Sequence, residues 1–174
     1  KGFLFGIISA FLAVPGAMFF ADVNFYTDIY TNVVEACRTA FFGAALPEEA
    51  AKLFMLWLLV RKNKYFDERI DGIVYAVAIS MGFAAFENLL YLFSNYEQWL
   101  TVGLTRAALS VPAHYAFAVL MGYYYSKVHF GISNAPKDKL MILLVPVLVL
   151  HLFGGEGDGQ AVVAACYKGS IRAK

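Results

Sequence analysis

Charge is the scarcest thing in this chain. Of its 174 residues only 16% are charged and 60% are hydrophobic, where soluble domains hold about 25% charged and about 45–50% apolar residues. Mean hydropathy is +0.61. Both departures point away from a soluble domain and towards a polytopic membrane protein. The formal net charge of +1 leaves no basic field with which to hold nucleic acid. Cysteine is nearly absent. Cys37 and Cys166 stand far apart without metal-ligand spacing, and read as two small buried hydrophobes. A small-residue cleavage pattern is missing after the first apolar run, so that run reads as a retained helix. Internal repeats and low-complexity tracts are absent too.

What is present is a succession of apolar runs. Spanning helices need about 20 mostly apolar residues, and the runs at 3–21, 33–60, 71–93, 100–127 and from 140 onward qualify. The expectation is an all-α polytopic bundle of about five to six transmembrane helices. The second run is longer than one span requires. Pro47 divides it into an amphipathic stretch with Glu35 and Arg38, and a more apolar half from Glu48 onward. Loop charges give an orientation. Residues 61–69 hold four Lys/Arg, and 127–139 hold Lys127, Lys137 and Lys139, while 22–32 and 94–99 hold none. The first pair therefore reads as cytoplasmic and the second as outer. Residues 154–174 depart from this alternation, turning Gly-rich and then basic with Lys168, Arg172 and Lys174. The chain accordingly divides into one transmembrane domain at 1–153 and an anomalous tail.

In the third run Gly72, Ala76, Ser80, Ala84 and Asn88 recur every four residues. Such a narrow stripe of small side chains lets membrane helices approach closely.

Ionisable groups inside the runs are few: Glu48, Glu49, Lys52, Glu87, Arg106, His114 and His151. Intramembrane charges are costly and face the bundle interior or a watery cavity. From the helical rise, Glu48 lies about 20 Å from Arg61, and His114 about 20 Å from Lys127. By the same measure His151 is about 18 Å from Lys139, and Glu87 about 24 Å from Asp71. Four separate segments thus carry a Glu or His to one depth, beyond the middle of the bilayer. Lys52, one turn after Glu48 and Glu49, can pair with either. Arg106, Ser110 and His114 follow one another at four-residue steps. Taken singly, each has a plainer reading: Glu48 with Lys52 as a buried ion pair, His114 as a satisfied core histidine, Arg106 as a helix anchor. The weight rests on their conjunction.

The motifs "EEAAK" (48–52), "FAAFEN" (83–88), "PAH" (112–114) and the late His151 resemble the PrsW family of intramembrane proteases, relatives of the CAAX prenyl endopeptidases. The resemblance covers about 33 to 151. It implies a helical membrane endopeptidase cutting membrane-associated polypeptides, with anti-sigma factors among the substrates, in a bacterial or archaeal cell membrane. By the same resemblance Glu48 activates the water, while Glu49 and Lys52 tune its charge and position. Glu87 orients the water or shares a proton with Glu48, and Asn88 hydrogen-bonds either carboxylate. His114 stabilises the oxyanion, helped by His151, and Arg106 supports the site. Ala118 and Gly155 stand where relatives carry polar residues, one turn after each histidine. A metal-free site is the first expectation. Zinc or another divalent ion on Glu48, Glu87, His114 and His151 is the runner-up, since no HExxH-type pair occurs on one helix. From other classes, a proton-coupled transporter and a non-catalytic scaffold or immunity protein are the alternatives. Partners are then a membrane-protein substrate and the lipid bilayer, without nucleic acid.

Overall fold

The computed structural model describes residues 1–22, 35, 38–132 and 135–153, with side chains through 148. Among the described residues there is no strand. Helix α1 is Gly2–Asp22, α2 Leu46–Val60, α3 Arg69–Ser94, α4 Trp99–Ala108, α5 Ser110–His129 and α6 Pro136–Phe153. Helices α1 and α3 are each long and apolar enough to cross a membrane. Helix α3 is the centre of the bundle, packed against α1 on one side and α5 on another.

Pro47 leaves its mark as expected, and in a form the sequence does not announce. Its nitrogen cannot donate to the carbonyl one turn back. The chain meets this by winding wider: Ala40–Ala45 is π-helical, and the Leu46 N–H reaches back to the Phe41 oxygen. Ala45 and Leu46 keep right-handed helical φ/ψ, so the wide turns run directly into α2. The insertion lies just ahead of Glu48 and Glu49, which occupy the first turn of α2. Single-turn π segments of this kind gather at functional sites.

The run at 100–127, expected as one helix, is two. Helices α4 and α5 meet at Leu109, whose φ/ψ of −117/−56 departs from helical values. The cause is Pro112, which has no N–H for the Ala108 carbonyl and whose ring crowds it. The bonds on either side survive, Leu109 N–H to Thr105 O at 3.0 Å and Ala113 N–H to Leu109 O at 3.1 Å. Arg106 consequently sits on a short helix of its own, and His114 begins the next.

The small-residue stripe does what its spacing implies. Gly72, Ala76, Ser80 and Ala84 are all buried. Opposite Gly72 stands Gly122 of α5, where an added Cβ would lie 2.6 Å from the Ile73 Cα. On its other side α3 offers Gly82, where an added Cβ would run into the Phe3 carbonyl of α1. Backbones in contact on both faces hold the three helices at fixed separation. One result is that the Ser80 hydroxyl donates to the His114 carbonyl at 2.9 Å, fixing the height of His114 against α3.

Candidate active site

Helix α2 supplies Glu48, Glu49 and Lys52. Lys52 is 2% exposed, hydrogen-bonded to two acceptors and ion-paired with a third group. The Nζ atom lies 2.7 Å from Glu49 Oε1, 3.1 Å from His114 Nδ1 and 3.7 Å from Glu48 Oε2. The Phe83 ring face covers the ammonium from below, 4.1 Å to its centroid. The sequence permits Lys52 either carboxylate; in the structure it takes Glu49 most closely.

These contacts assign the histidine. An ammonium can only donate, so Nδ1 of the neutral ring accepts and its proton sits on Nε2. Nε2 is 3.1 Å from Glu87 Oε2. The same carboxylate oxygen accepts from Arg106 Nη2 at 2.7 Å. Arg106 is buried although its helix is short. Its Nε donates to Asn88 Oδ1 at 2.6 Å, its Nη2 also reaches Ser110 Oγ at 3.3 Å, and its Cζ lies 3.8 Å from the Tyr91 ring centroid. Asn88 therefore bonds the guanidinium rather than a carboxylate.

Ligand atoms of Glu48, Glu87 and His114 all lie within 4.8 Å of one another. Three elements far apart in sequence thus converge on one point, as the common depth of these residues implies. Exposure separates the acids. The side chains of Glu48 and Glu87 are 16% and 19% exposed, that of Glu49 only 1%. The first two keep open surface; Glu49 is buried beside Lys52. The cluster sets three carboxylates against two permanent cations, Lys52 and Arg106. One negative charge is left over, which a proton or a metal cation would balance. His151 lies in the last turn of α6, but its side chain is outside the described residues, and the tail from 154 lies outside them entirely.

Sequence reasoning overlooked Tyr91 and the bond from Ser80. Tyr91 follows Glu87 by one helical turn, and that spacing was the available signal. Ser80 is one of the small-stripe residues, where its hydroxyl passed for mere smallness.

An acid–imidazole cluster buried among apolar helices defines a class: helical membrane proteins with ionisable chemistry inside the bundle. Comparison with known proteins narrows the class. Residues 1–153 match the family described as "PrsW family intramembrane metalloprotease", and the chain belongs to that family. It is similar to the Protease PrsW of Clostridioides difficile (strain 630), at 38% identity over 152 residues, 86% of this chain and 63% of that protein. It is likewise similar to the Protease PrsW of Geobacillus kaustophilus, 38% identical over 132 residues, 76% of this chain and 54% of that protein. For the Protease PrsW of Bacillus subtilis (strain 168) the figures are 38% over 112 residues, 64% and 50%. The chain thus spans between half and just under two thirds of the length of these curated relatives. All three organisms are bacteria, which supports the bacterial part of the expected origin. No solved structure matches.

Proposed function

We propose that this chain is an intramembrane endopeptidase that hydrolyses peptide bonds of membrane-spanning polypeptides, with Glu48 activating the attacking water. The observation that carries the reading is the meeting of Glu48, Glu87 and His114 within 4.8 Å in an otherwise apolar bundle. Amide hydrolysis needs a base for water, a donor for the oxyanion and a proton for the leaving amine. Glu48, reachable and only loosely paired with Lys52, takes the proton from water and returns it to the amine. The Nε2–H of His114 bonds Glu87 Oε2 in the resting site and turns to the developing oxyanion when the carbonyl enters, leaving that carboxylate oxygen to Arg106. Glu87, held by Arg106, orients that imidazole. Lys52 fixes the tautomer and, with Glu49, holds α2 in register. Residues 1–153 form the unit that does this. Substrates are single-span proteins cut near the outer face, of the kind anti-sigma factors represent.

A second reading is favoured by the same three ligand atoms. Two carboxylates and an imidazole suit a catalytic divalent ion such as zinc in donor type and spacing. Glu48, Glu87 and His114 would hold it, and when bound it would supply an activated water and a Lewis acid for the carbonyl. One contact ranks this second. A neutral imidazole ligated through Nε2 carries its proton on Nδ1, and Nδ1 here faces the Lys52 ammonium at 3.1 Å, a donor against a donor. Elemental analysis of protein purified without chelator separates the two. Less than about 0.1 metal per chain, with chelator-resistant cleavage, is the outcome expected of the first reading. Near-stoichiometric metal, lost together with activity in Glu87→Gln, is that of the second.

The reading itself is tested by mapping new protein N-termini in membranes that contain wild type, Glu48→Gln or Glu87→Gln. Termini near the outer ends of single-span proteins should appear with wild type and vanish with both variants. Identical termini with equally abundant, folded variants would end it. The transporter and scaffold readings draw no support from the family or from the site.

A further inference from the structure

Helix α4 is a weakly held element that carries a strongly held residue. Arg106 is its one buried side chain, while Trp99, Leu100 and Leu104 on the same helix are each more than half exposed. A 3₁₀ turn at Tyr96–Gln98 precedes the helix and the break at Leu109 follows it. Neither join is stiffened by a continuous run of helical hydrogen bonds. What binds α4 to the site is therefore the guanidinium itself. An arginine near a helix end has an alternative, which is to snorkel towards the water at the membrane surface.

The last turns of α3 present the guanidinium with an arc of partners. Glu87, Asn88 and Tyr91 stand at i, i+1 and i+4, so carboxylate, amide oxygen and ring face one region. The first two accept in the guanidinium plane, at 2.7 and 2.6 Å. Tyr91 alone of the three covers its face, at 3.8 Å. Hydrogen bonds in the plane fix where the fork points, and a ring on its face keeps it from tilting out.

We propose that Tyr91 is a positioning residue of this site: its ring clamps Arg106 in the plane that fixes the Glu87 carboxylate, and so the imidazole of His114. The clamp also couples α4, and whatever the outer membrane surface does to it, to the reacting groups. Its consequence for turnover rests on the endopeptidase reading. The clamp itself does not, and its test keeps the two apart.

The test is the reactivity of Arg106 towards phenylglyoxal in the full chain in detergent, read by peptide mass spectrometry, with exposed Arg69 as internal standard. Wild type and Tyr91→Phe, which keeps the ring, should protect Arg106 equally. Tyr91→Leu should be modified about tenfold faster, as loss of a desolvated cation–π contact implies, with Arg69 unchanged. Equal protection in Tyr91→Leu would overturn the clamp, and so would a Tyr91→Phe as reactive as Tyr91→Leu. Tyr91→Met takes the place of Leu should the latter not fold. With a substrate in hand, Tyr91→Leu should lower kcat about tenfold at unchanged KM, and Phe should restore it. A wild type with no Glu48-dependent cleavage would remove the endopeptidase reading, while the modification rates still decide the clamp.

Discussion

Lys52→Met is expected to destabilise the protein by about 3–5 kcal/mol, the cost of removing one partner from a buried charged network. The stem of Lys52 is retained in methionine, so packing changes little. What is lost is the single group that satisfies Glu49 Oε1 at 2.7 Å and His114 Nδ1 at 3.1 Å. Glu49, 1% exposed, would then hold an uncompensated carboxylate with no route to water. For a chain of this length the loss corresponds to a fall in melting temperature of about 6–20 °C, measurable in detergent by thermal unfolding. The double variant Glu49→Gln with Lys52→Met removes both charges together, and should regain a substantial part of the loss. A Lys52→Met protein melting within about 2 °C of wild type would mean that water replaces the ammonium, and that α2 is held by packing alone.

How much of this was legible beforehand follows from the range of each interaction. The glutamates and the lysine lie within one turn of a helix, so their pairing is a local geometric fact and could be read off the spacing. The burial of Gly72, Ala76, Ser80 and Ala84 was equally local, because a four-residue period on an apolar helix names its own packing face. The joint depth of Glu48, Glu87 and His114 followed from counting residues from the loop charges. Which partner each group takes was not legible. Lys52 has both carboxylates within reach along the chain, and the choice is made by His114, 62 positions away. Arg106 had a local neighbour in Ser110 but no local carboxylate, and its contact with Glu87 depends on the break at Leu109. That break had a signal, Pro112, one turn beyond it; a run of apolar residues on both sides concealed the signal. The wide turns at Ala40–Ala45 had none, since a proline can be met by a kink, a break or a π insertion. The approach of Gly82 to Phe3 was illegible for another reason: it needs the crossing point of two helices, and no periodicity in either one marks it.

The adjacent acids offer the sharpest separation of chemistry from architecture. Glu48→Gln is expected to lower turnover about 10³-fold, within the range for loss of a general base, while leaving the fold intact. Glutamine keeps the size of the side chain and one acceptor oxygen but cannot take a proton from water. Glu48 is also the outlying acceptor of Lys52, at 3.7 Å, so little structure depends on its charge. Glu49→Gln should do the reverse. It removes the short charge-assisted bond to Lys52 from a sealed position, at a cost of about 1.5–3 kcal/mol. Turnover per folded molecule should stay within about tenfold of wild type, because Glu49 reaches neither water nor substrate. Turnover normalised to folded protein, together with melting temperature, reads both effects in one series. A Glu49→Gln protein that melts like wild type yet has lost turnover would exchange the two roles, making the sealed acid the base. That outcome requires water to enter behind Lys52, which the packing of Phe83 and His114 against the ammonium opposes.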